Sequence, residues 1–329
     1  MSIRSVSTME RRSTKSMTRL AATVGMVLIA TLAIAPAASA TYPDRNGLIV
    51  FQADTGSGSQ IYTVRPNGHD LRQITRVDGE ALQSDWAPDG RRIVFELGTV
   101  EAASIAIMNA DGSDLTNLTG TGLPGQFSFA GQPSFTPDGQ RIVFERYIPD
   151  TNDDAIWSMN VDGSDQRRIT SGPGGVTDPN VSPDGKRLSF VGFNGEDLGQ
   201  ALFTADIDGN NLHQLTPFTF DVAVKQDWAP DGEHLVFTDN ADNFDEPANI
   251  ATIRRDGTDL RYLTHYQSPE LRAYTGSYSP DGQWIIFRLE DHGSFALLRM
   301  RPDGSELHAI LPSSDFRPRG IDWGPAPEH

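Results

Sequence analysis

The sequence predicts an all-β chain, a six-bladed β-propeller with four antiparallel strands per blade. Three observations predict it. A short segment recurs six times: Trp86-Ala87-Pro88-Asp89-Gly90, Phe135-Thr136-Pro137-Asp138-Gly139, Val181-Ser182-Pro183-Asp184-Gly185, Trp228-Ala229-Pro230-Asp231-Gly232, Tyr278-Ser279-Pro280-Asp281-Gly282 and a truncated Trp323-Gly324-Pro325. The prolines are 45 to 50 residues apart, and a period in the forties with turn signals inside each unit marks a radial array of blades. Each copy is followed by a short apolar run ending in phenylalanine, and then by a second turn signal.

Residues 1–40 read as a signal peptide ahead of one propeller spanning 41–329. Arg4, Arg11, Arg12, Lys15 and Arg19 form a basic segment, residues 20–35 are apolar, and Ala38-Ser39-Ala40 has the small residues of a cleavage site. Met17 offers an alternative start that gives a more ordinary leader length. The apolar run falls short of the ~20 residues that a membrane span needs. Export to the periplasm or the outside is therefore expected, with no membrane insertion after cleavage. The chain has no cysteine, so neither a disulfide nor a lipid-modified cysteine is available.

Within each unit the elements follow in a fixed order. Strand A carries the bulky residue before Pro-Asp-Gly. Strand B is the run ending in phenylalanine, from Ile49-Val50-Phe51 to Ile285-Ile286-Phe287. Its β-branched and aromatic residues favour a pleated, buried strand. Strand C ends at Asn67-Gly68, Asp111-Gly112, Asp162-Gly163, Asp208-Gly209, Asp256-Gly257 or Asp303-Gly304, where glycine accepts a positive φ. Strand D closes with Thr75, Thr119, Thr170, Thr216 or Thr264, and with Leu311 in the last unit. The copies begin near Tyr42 with strand B. The missing strand A appears at the far end as Ile321-Asp322-Trp323, so one blade is shared between the termini and the ring closes without a free sheet edge.

The repeats resemble the WD40-like (PD40) repeats of TolB-type propellers. The resemblance rests on Trp/Phe/Tyr-x-Pro-Asp-Gly-x-x-Ile-x-Phe and on Met108-Asn109-Ala110-Asp111-Gly112-Ser113 and Met159-Asn160-Val161-Asp162-Gly163-Ser164, and it covers residues 42–325. It implies a six-bladed propeller and docking of a partner at the cell envelope. The α/β domain that precedes the propeller in TolB itself has no counterpart in the sequence.

Strand direction separates two faces. The A–B and C–D connections are tight turns on one face. The B–C and D–A connections, expected to be long over 145–155, 238–249, 120–133 and 265–275, lie on the other, where variable loops on a rigid scaffold usually carry binding. Two sets of residues are candidates. The position before the bulky strand-A residue reads Asp85, Ser134, Asn180, Asp227, Ser277 and Asp322, a polar ring near the channel that either binds a cation, water or a partner's basic side chain or ties the blades together. The long loops contribute Asp150, Asp153 and Asp154, then Asp239, Asp242, Asp245 and Glu246, then His265, Tyr266 and Arg272. Closely spaced oxygen ligands at Asp242, Asp245 and Glu246 suit Ca²⁺, although no known calcium-loop spacing occurs. No other metal or cofactor is expected.

Residues 41–329 hold 22 basic and 43 acidic residues, a net charge of −21, which argues against nucleic acid as a partner. From that charge the partner is expected to be cationic or bridged by Ca²⁺. No serine-hydrolase elbow occurs, and the reading is a monomeric, exported, non-catalytic binding propeller that recognises a protein, peptide or cell-wall glycan. The alternative is a secreted carbohydrate lyase or hydrolase, which requires acid–base residues from several blades to meet at one channel mouth.

Overall fold

The computed structural model describes residues 45–327 apart from 55, 57, 100, 101, 121–128, 171–173, 196–198, 224 and 241–243. The proposed leader over 1–40 and Asp242 lie outside the described residues. The described strands form six antiparallel sheets of four. Blade two shows the unit: A is Glu80–Trp86, B is Arg92–Thr99, C is Ala102–Asn109 and D is Thr116–Asn117. The A strands of neighbouring blades touch all the way round, which places them at the axis.

Strand B is apolar at successive positions because both faces of each sheet are covered. In blade two Ile93 and Phe95 pack with Val50 and Ile61 of blade one, while Val94 packs with Phe135, Ile142 and Phe144 of blade three. Alternate side chains of a strand point to opposite faces, so every blade shares one hydrophobic cluster with each neighbour. The six strand-B phenylalanines (51, 95, 144, 190, 237 and 287) are all fully buried. Each contributes roughly 2–3 kcal/mol by leaving water.

The recurring polar letters have local causes. In the A–B turns the Asp89, Asp138, Asp184, Asp231 and Asp281 carboxylates accept the N–H two residues on, at 2.8–3.1 Å. In the C–D turns Asp111, Asp162, Asp208, Asp256 and Asp303 do the same. Gly112 has φ +89°, and a Cβ there would sit 2.2 Å from the Ile74 carbonyl oxygen of the preceding blade, so both the turn and the close approach demand glycine. The threonines that end strand D stand in for a ladder partner. Thr75, Thr119, Thr216 and Thr264 accept the strand-C N–H of Ile61, Ile105, Leu202 and Ile250 at 2.8–2.9 Å.

Two sequence expectations about loops change. Strand B of blade three extends over Arg141–Ile148 and C begins with Asp153–Asn160, so their connection is only 149–152. Strand A of blade six covers Leu271–Tyr278, which puts Arg272 and Tyr274 in the sheet and not in a loop. Alternating burial continues past the points where the apolar runs stop, and that continuation sets the true strand ends.

Blade one closes as the sequence predicts. Its B strand Asn46–Asp54 pairs with C-terminal strand Arg319–Pro325 through Ile49 with Trp323 and Val50 with Asp322. Deleting residues 320–329 removes that strand and bares Ile49 and Phe51. The truncated protein is expected to lose cooperative unfolding, or to melt lower by about 10 °C or more. A melting temperature equal to that of the full chain contradicts the shared blade.

Candidate functional site

The axis of the ring is a channel lined by the A strands. The predicted polar ring sits on it, and its side chains span all six blade boundaries. Asp322, Asp85 and Asp227 accept the N–H of Trp86, Phe135 and Tyr278 in the next blade at 2.8–2.9 Å. Ser277 accepts that of Trp323 at 2.8 Å. The Ser134 hydroxyl donates to Asn180 Oδ1 at 3.0 Å, and Asn180 Nδ2 donates to the Gln226 carbonyl at 2.9 Å. Toward the tight-turn face the ring encloses only about 30 Å³, room for one or two waters.

A second ring, two residues earlier on each A strand, was not singled out from the sequence. It reads Gln83, Gln132, Asp178, Lys225, Thr275 and Gly320. Five of these have positive φ: 47°, 51°, 52° and 103° for the first four, and 53° at Gly320. Register shifts mark the same stretch of strand A in five blades, so the chain bulges here. Strand-B residues of the preceding blade hold several of the bulges. Gln52 Oε1 accepts the Gln83 N–H at 2.5 Å, Thr238 Oγ1 accepts the Thr275 N–H at 2.9 Å, and Glu145 accepts the Thr177 hydroxyl at 2.6 Å. The Glu96 carboxylate accepts the Gln132 N–H. The signal that finds this ring is its fixed offset of five residues before each repeat proline.

Lys225 joins the two rings. The φ of +103° is the most unusual of the non-glycine residues, and Asp178 Oδ2 fixes it by accepting the N–H groups of Lys225 and Gln226 at 2.8 and 2.9 Å. Burial alone pulls the Lys225 ammonium pKa down, but Asp322, Asp85, Asp178 and Asp227 together hold it above the usual lysine value. The carboxylates move the other way. Burial, then Asp322, drives Asp85 well up and brings Asp227 to about 7, with Lys225 opposing. The acidic ring therefore carries its own internal cation.

Toward the long-loop face the channel widens into a vestibule of about 240 Å³. Lys225, Arg288 and Arg319 line it beside Tyr274, Phe193, Ile321 and other residues. Arg288 is 5% exposed and lies 4.1 Å from the Tyr274 ring centroid. Burial, then Arg317, lowers its pKa to about 10. Burial and Arg317 likewise lower that of Arg319. Arg317 is paired with Glu290 at 3.3 Å. The sign of this mouth is thus positive, in a chain whose net charge is −17 and for which a cationic partner was expected. Net charge counts the exposed turns and does not report what faces the channel.

The loop candidates do not converge on the vestibule. Asp153 pairs with Arg168 at 3.0 Å, and Asp154 Oδ2 accepts the Val176 N–H at 3.3 Å, with its pKa brought up to about 6 chiefly by burial. Asp150, Asp245, Glu246 and His265 are exposed. Asp239 is buried and caps the Asn249 N–H at 3.0 Å. Tyr266 packs against the core between blades five and six. Arg272 is a clamp: it donates to the Asn240 carbonyl at 2.8 Å and to the Glu246 carbonyl at 2.7 Å, and so holds the acidic loop in place. Among the described residues no group of three or more His, Cys, Asp or Glu is arranged to hold a metal. A larger cavity, about 570 Å³, opens elsewhere, between blades five and six beside the tight turns at Pro230 and Pro302.

A sequence profile of the TolB beta propeller domain (PD40) matches residues 124–327. The chain belongs to the TolB beta-propeller family. The Tol-Pal system protein TolB of Nitratidesulfovibrio vulgaris is 41% identical over 51 residues, 16% of this chain and only 12% of that relative's length. Among solved structures, TolB from Acinetobacter baumannii superposes with a TM-score of 0.70 at 19% identity, over 85% of this chain and 67% of that one. A putative TolB from Agrobacterium tumefaciens gives 0.62 at 16% identity, over 86% and 99%. A chain of a nidogen/laminin complex gives 0.61 at 14% identity, over 84% and 98%, so the fold extends beyond TolB. The likeness reaches well ahead of residue 124 and covers the repeats before it.

The buried glutamates between the blades make stability depend on pH. Burial is the main reason that Glu145 rises to about 8 and Glu96 to about 7, from an ordinary value of 4.5. A carboxyl whose folded pKa is raised binds more protons folded than unfolded, so its contribution is intact below about 4.5 and is lost as pH climbs through about 8. Glu145→Gln keeps the acceptor oxygen for Thr177 and removes the ionisation. The variant is expected to melt at least about 2–4 °C above the parent at pH 8.5, and level with it or slightly below at pH 4.5. Equal melting curves at both pH values contradict the raised pKa.

Proposed function

We propose that this propeller is an exported, non-catalytic binding module of the cell envelope that docks a protein or peptide partner on its long-loop face, with the channel vestibule as the focus of contact. The observation that carries the reading is the vestibule itself: Lys225, Arg288 and Arg319 from three blades converge there with Phe193 and Tyr274. Apolar walls with a few convergent polar groups are the usual make-up of a recognition pocket. The family supplies the setting, because a relative that matches a 51-residue stretch is named as a protein of the Tol-Pal system. The proposed leader, cleaved near Thr41, fits delivery to the same compartment.

Two features support binding over catalysis. None of the described histidines lines the vestibule, and its titratable set of Lys225, Tyr274, Arg288 and Arg319 holds no acid–base pair of the kind hydrolysis uses. The sequence has no cysteine, so one introduced thiol reports one place. Glu270→Cys on the long-loop face and Asp111→Cys on the tight-turn face, each carrying a photo-crosslinker, are expected to differ in an envelope extract. Adducts should form from position 270 and not from 111. Adducts from position 111 alone, or a footprint around the cavity at Pro230 and Pro302, contradict the assignment of the face.

A further inference from the structure

We infer that the vestibule is a receptor for a carboxylate carried by a peptide chain, either an acidic side chain or a chain end. This rests on the reading that the long-loop face is the binding face, and it names the chemistry of the contact.

The positive groups at this mouth are under-compensated. Arg288 is almost fully buried; its Nη1 donates to the Pro318 carbonyl at 3.3 Å, its Nη2 is 3.9 Å from Glu290, and its Nε has no hydrogen-bond partner. Arg319 is half-buried, and its side-chain Nε finds no hydrogen-bond partner among the described residues. Arg317 sits close enough to lower the pKa of both. Among the described residues one carboxylate, Glu290, is thus shared between Arg288 and Arg317, and the more remote Asp54 and Glu80 act on Arg319. A buried cation with incomplete partners is unfavourable, and an arriving anion relieves that cost. Guanidinium is the group whose planar fork matches a carboxylate with two parallel hydrogen bonds.

Shape narrows the ligand further. About 240 Å³ admits one extended side chain or a chain end but no folded element. Phe193 and Ile321 offer apolar walls to its methylenes, and Lys225 closes the floor. The Tyr274 ring already carries the Arg288 guanidinium at 4.1 Å, so that ring is not open for a sugar to stack on. The acidic ring lies below Lys225, so a carboxylate that entered deeper would meet Asp85 and Asp227. The site therefore stops the anion at the level of Arg319.

The test uses the full mature chain and three fluorescein-labelled probes read by anisotropy at low salt: amidated pentaglutamate, pentaalanine with a free carboxylate, and amidated pentaglutamine. At least one carboxylate probe is expected to bind and pentaglutamine is not. Which of the two binds tells side chain from chain end. Arg319→Gln is expected to weaken binding at least tenfold and Arg319→Lys to recover part of it, while Arg261→Gln on an outer strand has no effect. Melting curves confirm that each variant is folded. Failure of both carboxylate probes overturns the inference, and so does an equal loss in Arg319→Gln and Arg261→Gln. Arg319-dependent binding of an oligogalacturonate in place of the peptides overturns the peptide assignment. If crosslinks from position 270 persist and Arg319→Gln leaves the captured partner's affinity unchanged, this inference falls while the binding-face reading stands. Crosslinks that appear only on the tight-turn face sink that reading whatever the peptides do.

Discussion

The inner strand of every propeller blade has one edge with no strand beside it. Its N–H groups face the channel, and each one left unsatisfied in a buried place is costly. In this protein a short polar side chain of one blade reaches across and takes an N–H of the next. Asp322 bonds Trp86, Asp85 bonds Phe135, Asp227 bonds Tyr278 and Ser277 bonds Trp323. Ser134 and Asn180 complete the circuit with side-chain and carbonyl bonds. Much else follows from this. Only short side chains fit between inner strands, so the ring is restricted to Asp, Asn and Ser. A bulge then follows from packing six such strands round one axis, and it throws the second ring into the channel.

Satisfying the inner edge with carboxylates creates an electrostatic problem. Three aspartates of one ring lie close enough for Asp322 to raise both Asp85 and Asp227. The chain meets it with a lysine in a strained backbone position, held by a fourth aspartate. Placing that lysine between the aspartate ring and the vestibule polarises the channel. One end is a narrow acidic constriction, and the other is a wider positive mouth walled by Arg288 and Arg319. A protein with a large negative net charge thus presents a positive pocket at the wider end of its channel.

The fold was legible because each blade repeats its signals. The Pro-Asp-Gly turns, the phenylalanine of strand B, the Asp-Gly turns and the terminal strand Ile321-Asp322-Trp323 all occupy the places that the sequence implies. The polar ring was legible for the same reason. The vestibule was not. Arg288 sits where the other blades place Gln52, Glu96, Glu145, Val191 and Thr238, and Lys225 and Arg319 are equally unlike their counterparts. Residues that break a repeat carry no periodic signal, and only the closed ring shows that three of them meet. Asp153, Asp154, Asp239 and Arg272 show the opposite case. Their density along the chain suggested a binding loop, whereas their side chains are used within and between blades.

The inter-blade bonds at the channel should make six sheets into one cooperative unit. Amide hydrogen exchange tests this most directly. In the parent protein the N–H groups of Trp86, Phe135, Tyr278 and Trp323 should exchange at one common slow rate, that of global unfolding. Asp85→Ala removes the acceptor for Phe135 alone, and it should speed all four amides together. Faster exchange confined to Phe135 and its immediate neighbours, with the Tyr278 and Trp323 amides unchanged, would contradict the account and make the blades independent.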